Sequence, residues 1–318
     1  MRSMQAIELL TYYETHQAKA DWVFAIITKV NGHSYRKAGA FMLINGLGQQ
    51  VGLLSGGCLE GDLVRKAQRV LQNNQMIEVT YDFTEDSEEA WQMGLGCGGE
   101  VTIRLAYIDK VLSGCLLHIL TQLRQGQPVN VCVNMEEGDN QEMMLNLNID
   151  ENQQYKKSIS TCIKPPPQIA VFGSGIDVLP VVNLANLMGW QVSVIDENIN
   201  TSKRERFLAA EQCLSLSHEN LKDWLKTQTV TAAVVMTHNV LRDAQYLQAL
   251  QHYTLSYIGL LGPISRRQRV LEKISLTTTD IPQLASPIGL DIGGELPEAI
   301  ALSIIAEIQA HIEGKLKK

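Results

Sequence analysis

The sequence has no apolar run approaching the ~20 residues that a membrane-crossing helix needs. It has no CxxC pair, which argues against a zinc ribbon or a thioredoxin-type redox site. It also lacks a basic excess: 27 Lys and Arg stand against 34 Asp and Glu, a formal net charge of -7. Nucleic-acid binding is carried by clustered cations, so no nucleic-acid partner is expected. A small anionic ligand needs only a local basic patch and stays open. At the N-terminus, Glu8 interrupts the apolar stretch and no small-residue cleavage site follows, so no secretory signal and no membrane anchor are expected. Six cysteines in 318 residues are too few for a disulfide scaffold. The expected location is therefore cytoplasmic, with reduced thiols. What is present is an ordinary globular composition, 45% apolar and 19% charged.

Three of only nine prolines stand together at Pro165, Pro166 and Pro167. Such a run fits neither a helix interior nor a central strand. It predicts a linker over 164–167 between a domain at 1–163 and a domain at 168–318. The first half reads as α+β. Helical spacing covers 4–17, 59–71 and 111–123, and β-rich runs cover 22–30, 41–44, 51–54, 76–81, 100–107 and 129–133. A weak edge hairpin is expected within 141–161. The second half alternates strands (168–172, 191–195, 231–236, 254–258) with helices (176–188, 241–250, 296–312). The fold class expected is α/β: a C-terminal Rossmann-like parallel sheet with helices on both faces, plus an N-terminal α+β domain.

The C-terminal half carries a candidate nucleotide-type site. A short apolar strand ends at Phe172, Gly173-Ser174-Gly175 makes the turn, and a helix follows. Glycines let a backbone approach a phosphate, and a helix N-terminus offers free amides to an anion. Asp196 ends the next strand, where a Rossmann acid takes a ribose hydroxyl. The fingerprint is incomplete, because Val178 stands at the third glycine. The bland alternative is a tight turn with no ligand. His238 and Asp243, after the strand at 231–236, could wall the site, or His238 could cap the next helix. Arg266, with Arg267 and Arg269, could clamp a phosphate or line a solvated helix face.

The first half carries two glycine-flanked cysteines, in Ser55-Gly56-Gly57-Cys58-Leu59-Glu60 and in Gly94-Leu95-Gly96-Cys97-Gly98-Gly99-Glu100. Cys58 falls at a predicted helix start, where partial positive charge favours a thiolate. Around Cys97, glycines such as Gly98 permit close approach to a ligand. Cys115, Cys132 and Cys213 sit among apolar residues and read as small core hydrophobes. The loop His33-Ser34-Tyr35-Arg36-Lys37-Ala38-Gly39-Ala40 places Arg36 and Lys37 beside glycine. A basic loop near two cysteines could hold an anionic, sulfur-containing ligand; otherwise it is an ordinary connecting loop.

These motifs together resemble the xanthine dehydrogenase accessory factor family, XdhC/CoxI. The resemblance rests on HSYRKAGA, SGGCLEGDL, GLGCGGEV, FGSGIDV, MTHNVLRD, YIGLLGPISRR and PIGLDIGGELPEAIALSIIAEI. It implies a maturation factor that binds molybdopterin (molybdenum cofactor), supports its sulfuration with a cysteine desulfurase, and delivers it to a client molybdenum hydroxylase. The family's cysteine motifs fall on Cys58 and Cys97, and its phosphate-turn glycines on Gly173 and Gly175. The usual histidine after the glycine turn is Ile176 here, and the usual arginine after the strand-end acid is Asn198. A soft thiolate at Cys58 or Cys97 suits molybdenum or a persulfide sulfur. The other readings are an NAD(P)-dependent oxidoreductase on the Rossmann half and a ligand-free scaffold for a client dehydrogenase. A homodimer is compatible with the layout.

Overall fold

A computed structural model describes residues 6–83, 99–134, 145–147, 158–253 and 255–316. The chain divides into two compact units, Met1–Pro165 and Pro166–Lys318, so the division falls inside the proline run.

The first unit is built on an antiparallel sheet in the order β3-β2-β1-β5-β4. Its strands are β1 (Trp22–Gly32), β2 (Phe41–Asn45), β3 (Gln50–Val51), β4 (Ile77–Asp82) and β5 (Gly99–Tyr107). Strand residues alternate between two cores. Trp22, Phe24, Ile26, Phe41 and Leu43 face α1 (Ala6–His16) and α3 (Lys110–Arg124). Val23, Ala25, Ile27, Met42 and Ile44 face α2 (Glu60–Asn73). Both faces are therefore covered, and the central strands read as continuous apolar runs instead of alternating ones. β3 is shorter than the sequence suggests: Gly52 has φ +96° and the strand ends at Val51. The weak hairpin becomes part of a second sheet, β7-β6-β8, of β6 (Val129–Asn134), β7 (Leu145–Leu147) and β8 (Ser158–Ile163).

The second unit is a six-stranded parallel sheet in the order β11-β10-β9-β12-β13-β14. Its strands are β9 (Gln168–Phe172), β10 (Gln191–Ile195), β11 (Gln212–Leu214), β12 (Ala232–Val235), β13 (Tyr257–Leu260) and β14 (Leu284–Ala285). Counted within the unit, that is the Rossmann order 3-2-1-4-5-6, which reverses direction between β9 and β12. Helices α4 (Val178–Leu187) and α9 (Pro297–Ile312) cover one face. Helices α6 (His218–Lys226), α7 (Val240–Leu250) and α8 (Ile264–Lys273) cover the other. A single turn, α5 (Thr201–Arg204), follows β10. No helix among the described residues is long and apolar enough to cross a membrane.

The turn after β9 is fixed by backbone crowding. Gly173 has φ +130°, and its amide donates to Ile195 O on β10. A Cβ at Gly173 would lie 2.5 Å from Met236 O. Gly46, in the β2–β3 turn, has no such clash: a Cβ there meets only Leu71 at 3.5 Å and the Asp21 carbonyl at 3.8 Å. Gly173→Ala is expected to lower stability by more than about 1 kcal/mol in urea unfolding, because alanine is forced into a left-handed region. Gly46→Ala should leave the midpoint nearly unchanged.

Candidate functional site

The SGGC turn leads from β3 into α2 and is closed by its own side chains. Ser55 Oγ accepts from the amides of Gly57 (3.3 Å), Cys58 (3.1 Å) and Leu59 (3.0 Å). The same hydroxyl donates to Glu60 Oε2 at 2.5 Å, while Glu60 Oε1 accepts from the amides of Leu54 (3.1 Å) and Ser55 (2.8 Å). Glu60 is only 3% exposed. Burial pushes its carboxyl up. The hydrogen bonds from the Ser55 hydroxyl and the turn amides outweigh this and hold it below the usual carboxylate range. The result is a rigid seat for Cys58, which is half-buried and packed against the α2-side core. Gly57 has φ +111°, and a Cβ at Gly56 or Gly57 meets nothing within 4 Å. The turn therefore leaves open space beside the thiol. Cys97 and Gly98 lie outside the described residues.

Arg36 does not join Cys58. It lines a cleft of about 420 Å³ with Tyr35, Lys37, Leu9 and Cys162 of β8. Leu9 and Phe41 of that cleft belong to the core on the α1 side of the sheet, whereas Cys58 packs on the α2 side. Cys58 does not line this cleft, and the basic loop's placement relative to Cys97 lies outside the described residues. Of the other thiols, Cys132 is buried, and burial raises the half-buried Cys115 and Cys213 above the ordinary thiol range. Asp109 adds to the rise at Cys115, and Arg204 opposes it at Cys213.

In the second unit, Gly173 and Gly175 sit at the switch point of the sheet, beside the groups that a dinucleotide would use. Those groups are already engaged. Asp196 is 6% exposed and accepts from Ser174 Oγ at 2.5 Å and from the Asn198 amide at 2.9 Å. Arg242 reaches the same acid at 3.9 Å and pairs with Glu197 at 2.7 Å. Asn198, with its amide turned to satisfy both groups, accepts from Arg242 at 3.0 Å. Arg242 thus supplies a guanidinium where position 198 lacks one. Asp177, just before α4, makes no capping bond. Its carboxylate folds against Gly175 and holds His238 Nε2 at 2.7 Å. That places a negative charge at the glycine turn, where a pyrophosphate would lie, and like charge opposes phosphate.

His238 has φ +60° and does not cap α7; Asn239 does, accepting from the amides of Leu241 and Arg242. Asp243 is fully buried and accepts from the Thr237 amide (3.1 Å) and hydroxyl (2.6 Å). Its other oxygen takes Arg266 through Nε (3.2 Å) and Nη2 (2.5 Å). Arg266 is thus an internal strut and not an open phosphate clamp. Arg267 donates to Ser286 O at 2.6 Å. The glycine-rich loop before α9 is tied down by Glu307, which accepts from Tyr257 Oη (2.5 Å) and the Gly289 amide (2.6 Å).

Family models match both units. The model described as XdhC Rossmann domain covers residues 169–308, and that described as XdhC and CoxI family covers residues 15–82. A Bacillus subtilis (strain 168) protein, named as a probable xanthine dehydrogenase subunit, is 30% identical over 90% of this chain and 92% of its own. The chain belongs to the XdhC and CoxI family. A crystal structure titled a xanthine dehydrogenase from Bacillus halodurans superposes with a TM-score of 0.84 at 29% identity, covering 99% of this chain and 97% of that one. The molybdenum cofactor insertion chaperone PaoD of Escherichia coli (strain K12) is 21% identical over 90% of this chain and 82% of its own.

In this XdhC and CoxI family member, sequence reasoning missed Asp177 and Arg242 and did not assign Glu60 its clasp. Their signals are positional. Asp177 stands where an N-cap would, Arg242 lies in the first turn of α7, and Glu60 opens α2 after a serine five residues back. Two outcomes are expected. First, the folded-state carboxyl of Glu60 lies below its unfolded value. Its contribution is therefore full above about pH 4.3 and is lost as pH falls through the folded value. Urea midpoints between pH 7 and 3 should fall more steeply for the native protein than for Glu60→Gln. Second, Asp243→Ala leaves Arg266 without its buried partner and should cost about 3 kcal/mol in the same assay.

Proposed function

We propose that this protein is a maturation factor for molybdenum hydroxylases: a chaperone that holds molybdenum cofactor as cargo, supports its sulfuration and passes it to a client enzyme. The observation that carries the reading is the Cys58 seat, a half-buried thiol on a clasped turn with two glycines open to solvent beside it. A soft thiolate is the protein ligand suited to molybdenum or to a transferable sulfur. The open glycine backbone leaves room for a ligand to approach it. The cargo supplies the metal and dithiolene chemistry that the client uses. This chain supplies only the seat: Glu60 and Ser55 fix the turn, and Cys58 presents the sulfur.

Two family relatives support the reading, one named a molybdenum cofactor insertion chaperone and the other a probable component of xanthine dehydrogenase. The resemblance adds Cys97 as a second thiol and a cysteine desulfurase as the sulfur source. The internal pairing of Asp196 and Asp177 weighs against a dinucleotide at the Rossmann mouth. Cys58→Ala and Cys97→Ala are each expected to weaken molybdopterin binding about tenfold or more, a change of at least ~1.4 kcal/mol. Binding and delivery at native levels in both variants would remove the cysteine assignment. Calorimetric titration with NAD and NADP should give no binding.

A further inference from the structure

The crevice of the second sheet lies between β9 and β12, where the strand order reverses. The loop after β9 leads into α4 on one face of the sheet, and the loop after β12 leads into α7 on the other. Ligands of open α/β sheets enter between two such diverging loops. Here a side-chain contact spans them: His238 Nε2 donates to Asp177 Oδ2 at 2.7 Å.

Neither residue is placed there by the needs of the fold. Asp177 stands at the N-cap position of α4 but makes no capping bond, and a good cap is worth about 1 kcal/mol. His238 has φ +60°, a left-handed backbone uncommon for any residue but glycine, and its side chain is 58% exposed. A pair this exposed adds little stability. Local rules broken on both sides of a contact without structural gain mark a functional contact. What the contact does is fill space. A Cβ at Gly175 would lie 2.4 Å from Asp177 Oδ1 and 3.6 Å from His238 Cδ2. The room beside the second glycine of a Rossmann turn is where a pyrophosphate approaches the backbone. In this chain a carboxylate oxygen holds that room. Among the described residues, the amides of Ser174, Gly175 and Ile176 donate to no protein group, so the turn keeps free donors beneath the carboxylate.

We propose that Asp177 and His238 form an autoinhibitory latch across this crevice. The Asp177 carboxylate occupies the place of a ligand's diphosphate, and turning it out opens a site for a diphosphate-bearing ligand. Opening needs a change of side-chain rotamer at Asp177 and no movement of the sheet. With the carboxylate in place, like charge repels phosphate. With it turned away or neutralised, the glycine turn and its free amides receive the anion. The inference stands apart from the molybdenum reading, because it involves neither Cys58 nor a metal. It also accounts for a closed native mouth that takes neither NAD nor NADP.

The test is calorimetric titration of the full chain with ADP, inorganic pyrophosphate and adenosine. Asp177→Asn removes the charge at nearly constant shape, and Asp177→Ala empties the space. Each should bind ADP at least about tenfold more tightly than the native protein, because like charge set against phosphate costs more than one tenfold step in affinity. His238→Ala lets the carboxylate turn out into water and should give a smaller gain. Adenosine should gain nothing in any variant. Equal gains for ADP and inorganic pyrophosphate assign recognition to the diphosphate alone, and a larger gain for ADP adds the nucleoside; both support the proposal. Adding Gly175→Ala to Asp177→Ala should abolish the gain, because a Cβ then fills the vacated room. Urea midpoints identify the folded variants, and two substitutions at Asp177 keep the test decisive if one does not fold. Unchanged ADP affinity in the Asp177 variants, no gain in His238→Ala, an equal gain for adenosine, or a gain that survives Gly175→Ala would each overturn the proposal. Failure of Cys58→Ala to alter molybdopterin binding would instead strike the proposed function and leave this result standing.

Discussion

Four of the motif loops, those at Ser55, Ser174, Thr237 and Gly289, are each held by a buried or half-buried carboxylate that takes amide or hydroxyl hydrogens from the loop. Glu60 takes the amides of Leu54 and Ser55 and the Ser55 hydroxyl. Asp196 takes Ser174 and Asn198, Asp243 takes Thr237, and Glu307 takes Gly289 and Tyr257. A buried amide without a partner costs roughly 1–3 kcal/mol, so a loop that must stay irregular at a sheet edge needs such an acceptor. The glycines of these loops have no side chains to anchor them. The acids supply the anchoring that the glycines cannot.

The same constraint decides what each site can do. In the SGGC turn the clasp lies on the core side of the loop, so Cys58 and its glycines stay open beside it. At the Rossmann mouth the clasps lie among the groups that would otherwise bind a ligand. Asp196 holds Ser174 of the glycine turn, and Asp177 lays a carboxylate against Gly175. The sheet order and the Gly173 crowding keep the geometry of a nucleotide fold while its polar groups serve the fold itself. Activity is therefore sought in the first unit, although the second is the more regular structure.

The Rossmann unit was legible because its central strands are short apolar blocks ending at glycine or polar turns, as at Phe172 and Ile195. Edge strands were not. β11 is half-buried and three residues long, and β14 has two residues, so neither leaves an apolar block. The candidate residues were legible as types, but their partners were not. Asp177 meets His238, and Asp243 meets Arg266, across helices and strands that no local pattern connects. The placement of Arg36 was hidden for another reason. Side chains change face at every strand residue, so the sequence could not say on which side of the sheet the basic loop's cleft would open. It opens on the α1 side, beside Cys162 instead of Cys58.

The most direct measurement is a mass and absorbance analysis of the ligand carried by the protein when it is purified without oxygen from cells that make molybdenum cofactor. The account predicts a phosphorylated pterin dithiolene with molybdenum, in near-stoichiometric amount. A nicotinamide dinucleotide in its place, or protein that emerges with no ligand from cells proven to contain the cofactor, would contradict it.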